Sequence, residues 1–224
     1  MVKIKSIIPV TASRAFKEFS LRIRKHVLGY LPPGTDLVGY ESLLAWLEKK
    51  QIAKLDGDVV EIGSFWGGGT AKLARFFDKY NKKVIAIDIF EPSFDNTKTL
   101  DGNSMASLYS QVLRGRNQEE VFKKTTRKYP NVVMIKGDSK QVTVPCRAIC
   151  FSFIDGCHDP DYVRSDFYLV WGKTVSGGVV GFHDYGANLP QTTRTIDELI
   201  EVNKDSVKVT SQIRSKWIIL LTKK

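Results

Sequence analysis

The chain has 224 residues, of which 42% are hydrophobic and 26% charged, and these values are ordinary for a globular protein of one large domain. No apolar run approaches the about 20 residues that a membrane-spanning helix needs, and the apolar run near the N-terminus is too short for a secretory signal. The three cysteines lack CxxC spacing, which favours reduced thiols and a cytoplasmic location.

The net charge of +10 is concentrated at the two ends of the chain. Residues 1–28 contain seven Lys and Arg against one Glu, and residues 204–224 contain six against one Asp, so the part between them is close to neutral. A basic end can bind an anionic substrate, a membrane surface or nucleic acid. It can equally be a solvated face.

The first predicted elements are two helices, 13–28 and 40–50, which the helix-breaking stretch "LPPGTD" separates. Helix 13–28 carries apolar residues on one side and basic residues on the other, and it could support a homodimer. We predict that residues 1–54 form an N-terminal helical extension, which caps a substrate or makes an oligomer contact, ahead of a domain at 55–224.

Beyond this extension, short apolar runs alternate with helical patterns. The runs are "DVVEIG" (58–63), "KVIAID" (83–88), "NVVMIKGD" (131–138), "AICFSFID" (148–155) and "GGVVGFHD" (177–184). Runs without polar alternation are typical of parallel strands that are buried on both faces. The chain ends in two more predicted strands, joined by a turn near Arg214. The pattern predicts an α/β fold with a doubly wound, Rossmann-like sheet that is mostly parallel, and an antiparallel C-terminal hairpin that closes one edge.

One connection, from Phe90 to about Ser104, is long and rich in polar residues. Long loops in compact domains are usually functional or disordered. This one follows the carboxyl end of the second strand, where ligands bind in open α/β sheets. We therefore predict a lid-like insert at 91–117.

A glycine-rich turn follows the first strand in the stretch "VVEIGSFWGGGT" (59–70). Glycine lets a ligand approach the backbone closely, but the second glycine of a G-x-G-x-x-G dinucleotide motif is missing because Phe65 stands there. Asp88 ends the second strand, 25 residues after Gly63, and is placed to accept hydrogen bonds from ribose hydroxyls. The third strand ends in "GDS" (137–139), which could take an adenine edge.

Five stretches occur in the order known from class I S-adenosylmethionine-dependent methyltransferases and resemble their motifs: "VVEIGSFWGGGT", "VIAIDIF", "VVMIKGDS", "FIDGCHDPDYVRSD" and "GGVVGFHDYG". The closest resemblance is to the branch of macrocin-type O-methyltransferases and cephalosporin-hydroxylase-like proteins. It covers about residues 57–186 and excludes the N-terminal helices and the insert. The resemblance implies that S-adenosylmethionine is the cofactor. The cofactor-binding residues it implies are Glu61 at the methionine end, Gly63, Ser64, Gly67 and Thr70 in and after the turn, Asp88 at the ribose, Gly137, Asp138 and Ser139 at the adenine, and Asp155.

The sequence departs from the pattern of that branch at two positions. Gly69 stands where serine or another small polar residue is usual, and we expect this change to matter little. Pro160 stands where a tyrosine is usual after the histidine, which changes the wall next to His158.

Candidate catalytic groups follow the fourth and fifth strands. Methyl transfer to an alcohol requires alignment of the acceptor and removal of its proton, and a histidine has an ordinary pKa of about 6.5, which suits a base at neutral pH. His158 is the first candidate for the base and His183 the second, with Asp155 beside them. The alternative for either histidine is a cap at the end of its strand.

A divalent metal is a second hypothesis for the same residues. Related O-methyltransferases hold Mg²⁺ with acidic side chains at these strand ends, where it orients the acceptor hydroxyls and lowers their pKa. Asp155, His183 and Asp184 match such positions. An imidazole suits Mn²⁺, Fe²⁺ or Zn²⁺ better than Mg²⁺.

The predicted function is O-methyl transfer to a small molecule, such as a sugar or a glycosylated natural product. One alternative is an N-methyltransferase that acts on RNA or protein through the basic N-terminal helix. The near-neutral body of the chain does not favour a broad nucleic-acid face. In addition, "DPDY" (159–162) lies too late, and lacks the second proline, for the motif of amino-group methyltransferases. A second alternative is a non-catalytic module that keeps the cofactor pocket, and a nicotinamide-dependent dehydrogenase is disfavoured by the missing glycine.

Overall fold

The structure is a computed structural model that describes residues 36–224. A seven-stranded sheet forms its centre. Its strands are β1 (Asp58–Ile62), β2 (Val84–Asp88), β3 (Val132–Lys136), β4 (Ile149–Ile154), β5 (Thr174–Phe182), β6 (Val207–Ile213) and β7 (Ile218–Lys223). Their order across the sheet is β3-β2-β1-β4-β5-β7-β6. The predicted helix 13–28, its basic residues and His26 lie outside the described residues.

The direction of the strands confirms the predicted fold class. Strands β1 to β5 pair in parallel, β7 pairs with β5 antiparallel, and β6 pairs with β7 antiparallel. The hairpin between β6 and β7 turns through a short 3₁₀ segment at Arg214–Lys216, where the sequence predicts its turn. This is a doubly wound sheet with an antiparallel C-terminal edge.

Six helices flank the sheet within the described part of the chain. They are α1 (Tyr40–Lys49), α2 (Gly68–Asp78), α3 (Met105–Leu113), α4 (Gln118–Thr126), α5 (Pro160–Trp171) and α6 (Pro190–Val202). Leucines of α1 and aromatic and aliphatic residues of α2 pack on one face of the sheet, and the apolar sides of α5 and α6 pack on the other. None of the described helices is long and apolar enough to cross a membrane.

The central strands are apolar because both of their faces are covered. Every residue of β4 is buried, and four of the five residues of β1 and of β2 are buried. Strand β4 ends at Ile154 and β5 at Phe182. The candidate catalytic side chains therefore begin in the loops just past these strand ends, where ligands bind in this kind of sheet.

Helix α1 lies in the body of the protein rather than in a separate extension. Residues 36–224 form one compact unit, and Leu43 and Leu47 are fully buried in the core shared with α2. The ammonium of Lys72 on α2, itself buried, pairs with the carboxylates of Asp36 and Glu41. The apolar side of α1, which belongs to the predicted extension, thus covers part of the sheet.

The insert contains structure that the sequence patterns did not predict. Its first part folds back on itself through a bridge between Lys98 and Ser104, and it leads into α3, which Ser104 caps, and then α4, which Asn117 caps. Leu100 N donates to the carbonyl of Asn188, 3.1 Å away, in the loop after β5. The insert therefore lies along the carboxyl edge of the sheet.

Candidate active site

A cleft with about 920 Å³ of empty space, open to solvent, lies at the carboxyl ends of the parallel strands. Seven carboxyl groups line it, from Asp36, Glu61, Asp88, Glu91, Asp95, Asp138 and Asp155. No Lys, Arg or His of the described residues lines it. The cleft therefore favours a cationic or neutral ligand over an anionic one.

The turn after β1 is shaped by close approach of two strands. Gly63 has φ +85°, and a Cβ on it would lie 2.0 Å from the carbonyl oxygen of Asp155. Only glycine fits there, since L-residues avoid this φ and the contact would be a severe overlap. The turn thereby brings the end of β1 against the end of β4, and both ends face the cleft.

Glu61 is a buried carboxyl group at the floor of the cleft. The hydroxyl of Tyr40 donates to Glu61 Oε1 at 2.7 Å, and the hydroxyl of Thr70 donates to Oε2. Burial raises the pKa of Glu61 to about 7, although these hydrogen bonds lower it in part. Glu61 is therefore poised between its neutral and charged forms near neutral pH.

Asp88 is held at the end of β2 by donors from three places in the chain. Phe65 N donates to its Oδ2 at 2.7 Å, Phe90 N to its Oδ1 at 2.6 Å, and the amide of Gln118 to Oδ1 at 3.1 Å. Burial raises its pKa to about 6 against the effect of these hydrogen bonds. A carboxylate has about four acceptor positions, so Asp88 still has room for a ligand hydroxyl.

The end of β3 forms the next part of the cleft wall. Gly137, Asp138 and Ser139 line it together with Tyr162, whose hydroxyl donates to Asp138 Oδ2 at 3.0 Å. The ammonium of Lys140 lies 3.8 Å from the centre of the Tyr162 ring. This end combines a flat aromatic surface with a carboxylate, which is suited to a nucleobase.

Two buried polar atoms in the glycine turn have no hydrogen-bond partner among the described residues. They are the hydroxyl oxygen of Ser64 and the indole nitrogen of Trp66, and both residues line the cleft. Buried polar groups in folded proteins are almost always hydrogen-bonded. These unpaired atoms fit a cofactor that supplies polar groups at this turn, and so support the predicted cofactor site.

The candidate catalytic residues form one connected cluster. His158 Nε2 lies 2.7 Å from Asp184 Oδ2, and His183 Nδ1 lies 3.0 Å from both Asp155 Oδ1 and Asp184 Oδ2. Asp155 reaches the cleft surface, and His158 is 4% exposed. Asp184 adopts a left-handed backbone with φ 56°, a conformation that is costly for a non-glycine residue and typical of functional sites.

Carboxylates determine the charge of both imidazoles. Burial lowers the pKa of His158, but its hydrogen bonds to Asp184 and Asp95 outweigh this effect and raise it to about 10. Burial also lowers the pKa of His183, but Asp155 and Asp184 outweigh this effect and raise it to about 10. Despite its burial, the same contacts hold the pKa of Asp184 far below its usual range. The cluster therefore holds positive charge on its imidazoles and negative charge on its carboxylates.

The same cluster has the ligand types of a divalent-cation site. One ligand atom each from Asp155, His158 and Asp184 lies within 4.8 Å of the others. The predicted ligand His183 is also within 3.0 Å of both carboxylates. Two carboxylates and an imidazole fit Mn²⁺, Fe²⁺ or Zn²⁺, so the structure brings the three predicted ligands together and adds His158 to them.

Two residues predicted for the cofactor do not line the cleft. Thr70 is fully buried, and its hydroxyl binds Glu61. Gly67 begins α2 with φ +82°, and a Cβ on it would meet the ring of Phe122 at 2.8 Å. In this structure Thr70 holds Glu61 and Gly67 packs against Phe122, so both residues shape the turn beside the cleft without lining it.

Both departures from the family pattern have structural consequences. A Cβ on Gly69 would lie 2.4 Å from the ring of Tyr40, so this glycine makes room for the tyrosine that binds Glu61. Pro160 is the first residue of α5, next to the capping Asp159, where proline is favoured.

Four residues of the site were missed by the sequence patterns. They are Tyr40, Asp95, Tyr109 and Gln118, which all line the cleft. Tyr109 packs against Phe65 with ring centres 5.3 Å apart. None lies in a local motif, and the polar start of α4 gave no signal for Gln118. For Asp95 the only sign was its position in a predicted functional loop.

Comparison with known proteins gives a family and a fold. The family model described as "Methyltransferase domain" matches residues 60–185, which is more than half of the chain. No curated protein sequence gives a significant match.

Three solved structures illustrate the fold. The O-methyltransferase NovP is 17% identical, with a TM-score of 0.64 over 94% of this chain and 99% of that one. The calicheamicin methyltransferase CalS11 is 12% identical, with a TM-score of 0.59 over 99% and 97% of the two chains. The O-methyltransferase TomG from Streptomyces achromogenes, solved with S-adenosylmethionine, is 13% identical, with a TM-score of 0.56 over 92% and 88%. At these identities the likeness concerns the fold.

Proposed function

Because the chain belongs to the methyltransferase-domain family, we propose that it transfers a methyl group from S-adenosylmethionine to a hydroxyl group of a small molecule. The observation that carries this proposal is a single cleft that joins two kinds of site. The cleft is lined by buried carboxyl groups and unpaired polar atoms, and Asp155 in its wall connects it to the imidazole and carboxylate cluster that lies behind the wall.

The cofactor end fits S-adenosylmethionine group by group. Glu61 pairs with the ammonium of the methionine part, Asp88 accepts from the ribose hydroxyls, and Ser64 binds through its unpaired hydroxyl. The wall formed by Asp138, Ser139 and Tyr162 takes the adenine. When bound, the cofactor supplies a methyl group on a sulfonium, and the carboxylate lining of the cleft suits this cation.

The catalytic end removes the acceptor's proton. His158 in its neutral form is the proposed base, with His183 as the second candidate. Because carboxylates raise the pKa of both histidines to about 10, the base must lose its own proton before it can accept one from the acceptor. Asp155 faces the cleft, where it can orient the acceptor hydroxyl. Proton removal by a positioned side chain contributes about 10²- to 10⁴-fold to the rate of such reactions. In the structure both imidazoles hydrogen-bond to carboxylates, so their ring nitrogens have fixed directions.

A divalent cation is part of the proposal, with Asp155, His183 and Asp184 as the predicted ligands. The ligand atoms of Asp155, His158 and Asp184 lie within 4.8 Å of one another, so His158 is the alternative imidazole ligand. A bound cation would orient acceptor oxygens and lower their pKa. Positive charge satisfies these carboxylates either as a proton on an imidazole or as a metal ion. Metal binding and protonation of the histidines should therefore compete.

The acceptor is proposed to be a sugar or a glycosylated natural product. A structure of CalS11 is described as a TDP-rhamnose 3'-O-methyltransferase, and TomG as involved in tomaymycin synthesis. The carboxylate lining of the cleft adds that the part of the acceptor inside it carries no negative charge.

Calorimetry and a transfer assay together test this function. The protein is titrated with S-adenosylhomocysteine and with NAD, each in EDTA and then with Mg²⁺ or Mn²⁺. Micromolar binding of S-adenosylhomocysteine without binding of NAD is expected. Methyl-labelled S-adenosylmethionine is then supplied with a panel of neutral glycosides, an RNA pool and a peptide pool, and label is expected only in the glycosides.

Each other outcome has a definite meaning. No binding of S-adenosylhomocysteine overturns the cofactor assignment. Label in RNA or peptide replaces the small-molecule proposal with the N-methyltransferase alternative. Binding without label in any pool favours the non-catalytic module.

A further inference from the structure

Asp95, in the insert, is a buried carboxylate that no motif identified. It is 5% exposed. Thr97 N donates to its Oδ1 at 2.9 Å, and Ala106 N donates to its backbone carbonyl at 2.8 Å. Hydrogen bonds within the insert thus fix both the side chain and the backbone of Asp95. The second carboxylate oxygen of Asp95 is directed toward the end of β4.

The other carboxylate oxygen of Asp95 binds the candidate base. Its Oδ2 lies 2.6 Å from His158 Nδ1, and it also accepts from His158 N at 3.3 Å. The second ring nitrogen of His158, Nε2, points to the catalytic side, 2.7 Å from Asp184. An acceptor at Nδ1 fixes which ring nitrogen carries the proton and which direction the ring faces.

We propose that Asp95 is a positioning residue that holds the imidazole of His158 through Nδ1 and thereby directs Nε2 toward Asp184 and the catalytic cluster. The contact joins the insert to the end of β4 across 63 positions of sequence. The base is therefore oriented only when the insert is docked. This inference rests on the proposed function, in which His158 removes the proton.

Two other contacts hold the insert in the docked position. Phe94 packs edge-on against Tyr162 of α5, with ring centres 5.3 Å apart, and Asn188 donates its side-chain amide to Asp101 at 2.6 Å. The insert is thus anchored to α5 and to the loop after β5. The insert therefore holds the imidazole of His158 in place and also lines the cleft.

Kinetics of three variants separate positioning from a structural role. Asp95→Ala is expected to lower kcat about 100-fold, because loss of such a supporting contact typically costs 10- to 100-fold. KM and the affinity for S-adenosylhomocysteine should stay within about twofold of the wild type. Asp95→Asn keeps an acceptor for Nδ1–H and should recover about tenfold of the lost kcat. Lys98→Ala removes an exposed charged side chain from the same insert and should change kcat by less than about twofold.

A double variant tests whether the two residues act together. Asp95→Ala combined with His158→Ala should be no slower than His158→Ala alone, because the positioning contact has nothing left to position. A further loss of about 100-fold in the double variant would overturn the proposal. An equal loss of kcat and of S-adenosylhomocysteine affinity in Asp95→Ala would also overturn it, since that pattern indicates a disturbed cleft.

Proton NMR of the imidazole N–H groups gives a test that needs no turnover. A strongly downfield signal is expected from His158 Nδ1–H in the wild type and in Lys98→Ala. It should be absent from Asp95→Ala and from His158→Gln, which assigns it. Its persistence in Asp95→Ala would refute the contact. If the wild type methylates no acceptor, the proposed function fails, while this signal still decides whether Asp95 holds His158.

Discussion

Buried carboxyl groups at the two ends of the cleft differ in their tendency to ionise. At the cofactor end, Glu61 and Asp88 are held by hydroxyl, amide and backbone N–H donors, and burial raises their pKa values to about 7 and about 6. At the catalytic end, Asp95 and Asp184 are also buried, but hydrogen bonds from histidines keep their pKa values below the usual range.

The difference shows what each end lacks. Neutral donors cannot supply the positive charge that a buried carboxylate needs, so a cationic ligand would stabilise the carboxylates of the cofactor end. The catalytic end already contains its cations, on His158 and His183. A ligand with an ammonium and a sulfonium would complete the first end, and an acceptor or a metal ion would rearrange the second.

The largest expected effect is on the catalytic end. His158→Ala should lower kcat by about 10³-fold, since it removes the proposed base, and should leave the affinity for S-adenosylhomocysteine within about twofold. His183→Ala is the matched variant and should lower kcat less. Steady-state kinetics with calorimetry measure both, and a His183→Ala variant slower than His158→Ala would exchange their roles.

The next largest effect is expected at Gly63, where the end of β1 meets the end of β4. Gly63→Ala should destabilise the protein by more than about 3 kcal/mol, because its Cβ would overlap the carbonyl of Asp155. Gly115→Ala is the control, since it has a similar φ of +75° and open space around it, and should cost about 1–2 kcal/mol. Urea unfolding compares them, and equal losses would mean that the close approach of β1 and β4 is unimportant.

Glu61→Gln addresses the cofactor end alone. It should weaken binding of S-adenosylhomocysteine by about tenfold or more near pH 8, because a hydrogen bond to a charged group contributes about 1.5–3 kcal/mol. It should also leave kcat at saturating cofactor nearly unchanged. Glu120→Gln changes an exposed carboxylate on α4 and should bind like the wild type. Unchanged affinity in Glu61→Gln would show that Glu61 does not bind the ligand's ammonium.

The smallest predicted effect comes from Tyr40→Phe. The tyrosine hydroxyl donates to Glu61 at 2.7 Å and lowers its pKa, so the variant should move the pKa of Glu61 further up. Affinity for S-adenosylhomocysteine at neutral pH should fall a few-fold, by about 1 kcal/mol or less, and recover at higher pH. A loss that does not depend on pH would point to altered packing.

The framework of the fold was predictable because it depends on local patterns. Continuous apolar runs such as 58–63 and 148–155 predict buried parallel strands, and acids and histidines directly after them predict a site at that edge. Helix α4 was not predictable in the same way. Its sequence "QEEVFKKTT" is mostly polar, and Phe122 is the one large apolar residue that it buries fully.

The partners of the site residues were not predictable, because they come from distant parts of the chain. Tyr40 is 21 positions from Glu61, and Gln118 is 30 positions from Asp88. Only the packing of α1 and of α4 brings them together. Gly69 shows the same limit, since its purpose became clear once the ring of Tyr40 was seen against it.

Proton release on ligand binding tests most directly whether Glu61 at the cofactor end ionises to pair with a cationic ligand. In the ligand-free protein Glu61 has a pKa of about 7, so it is mostly protonated below that pH and must lose the proton to pair with an ammonium. Affinity for S-adenosylhomocysteine should therefore fall about tenfold from about pH 8 to about pH 6.

The measurement is calorimetric titration with S-adenosylhomocysteine at about pH 6.5, in buffers of different ionisation enthalpy, for the wild type and Glu61→Gln. The wild type should release between about half a proton and one proton per ligand bound, and the variant clearly less. Equal proton release from both proteins, or proton uptake by the wild type, would contradict the account.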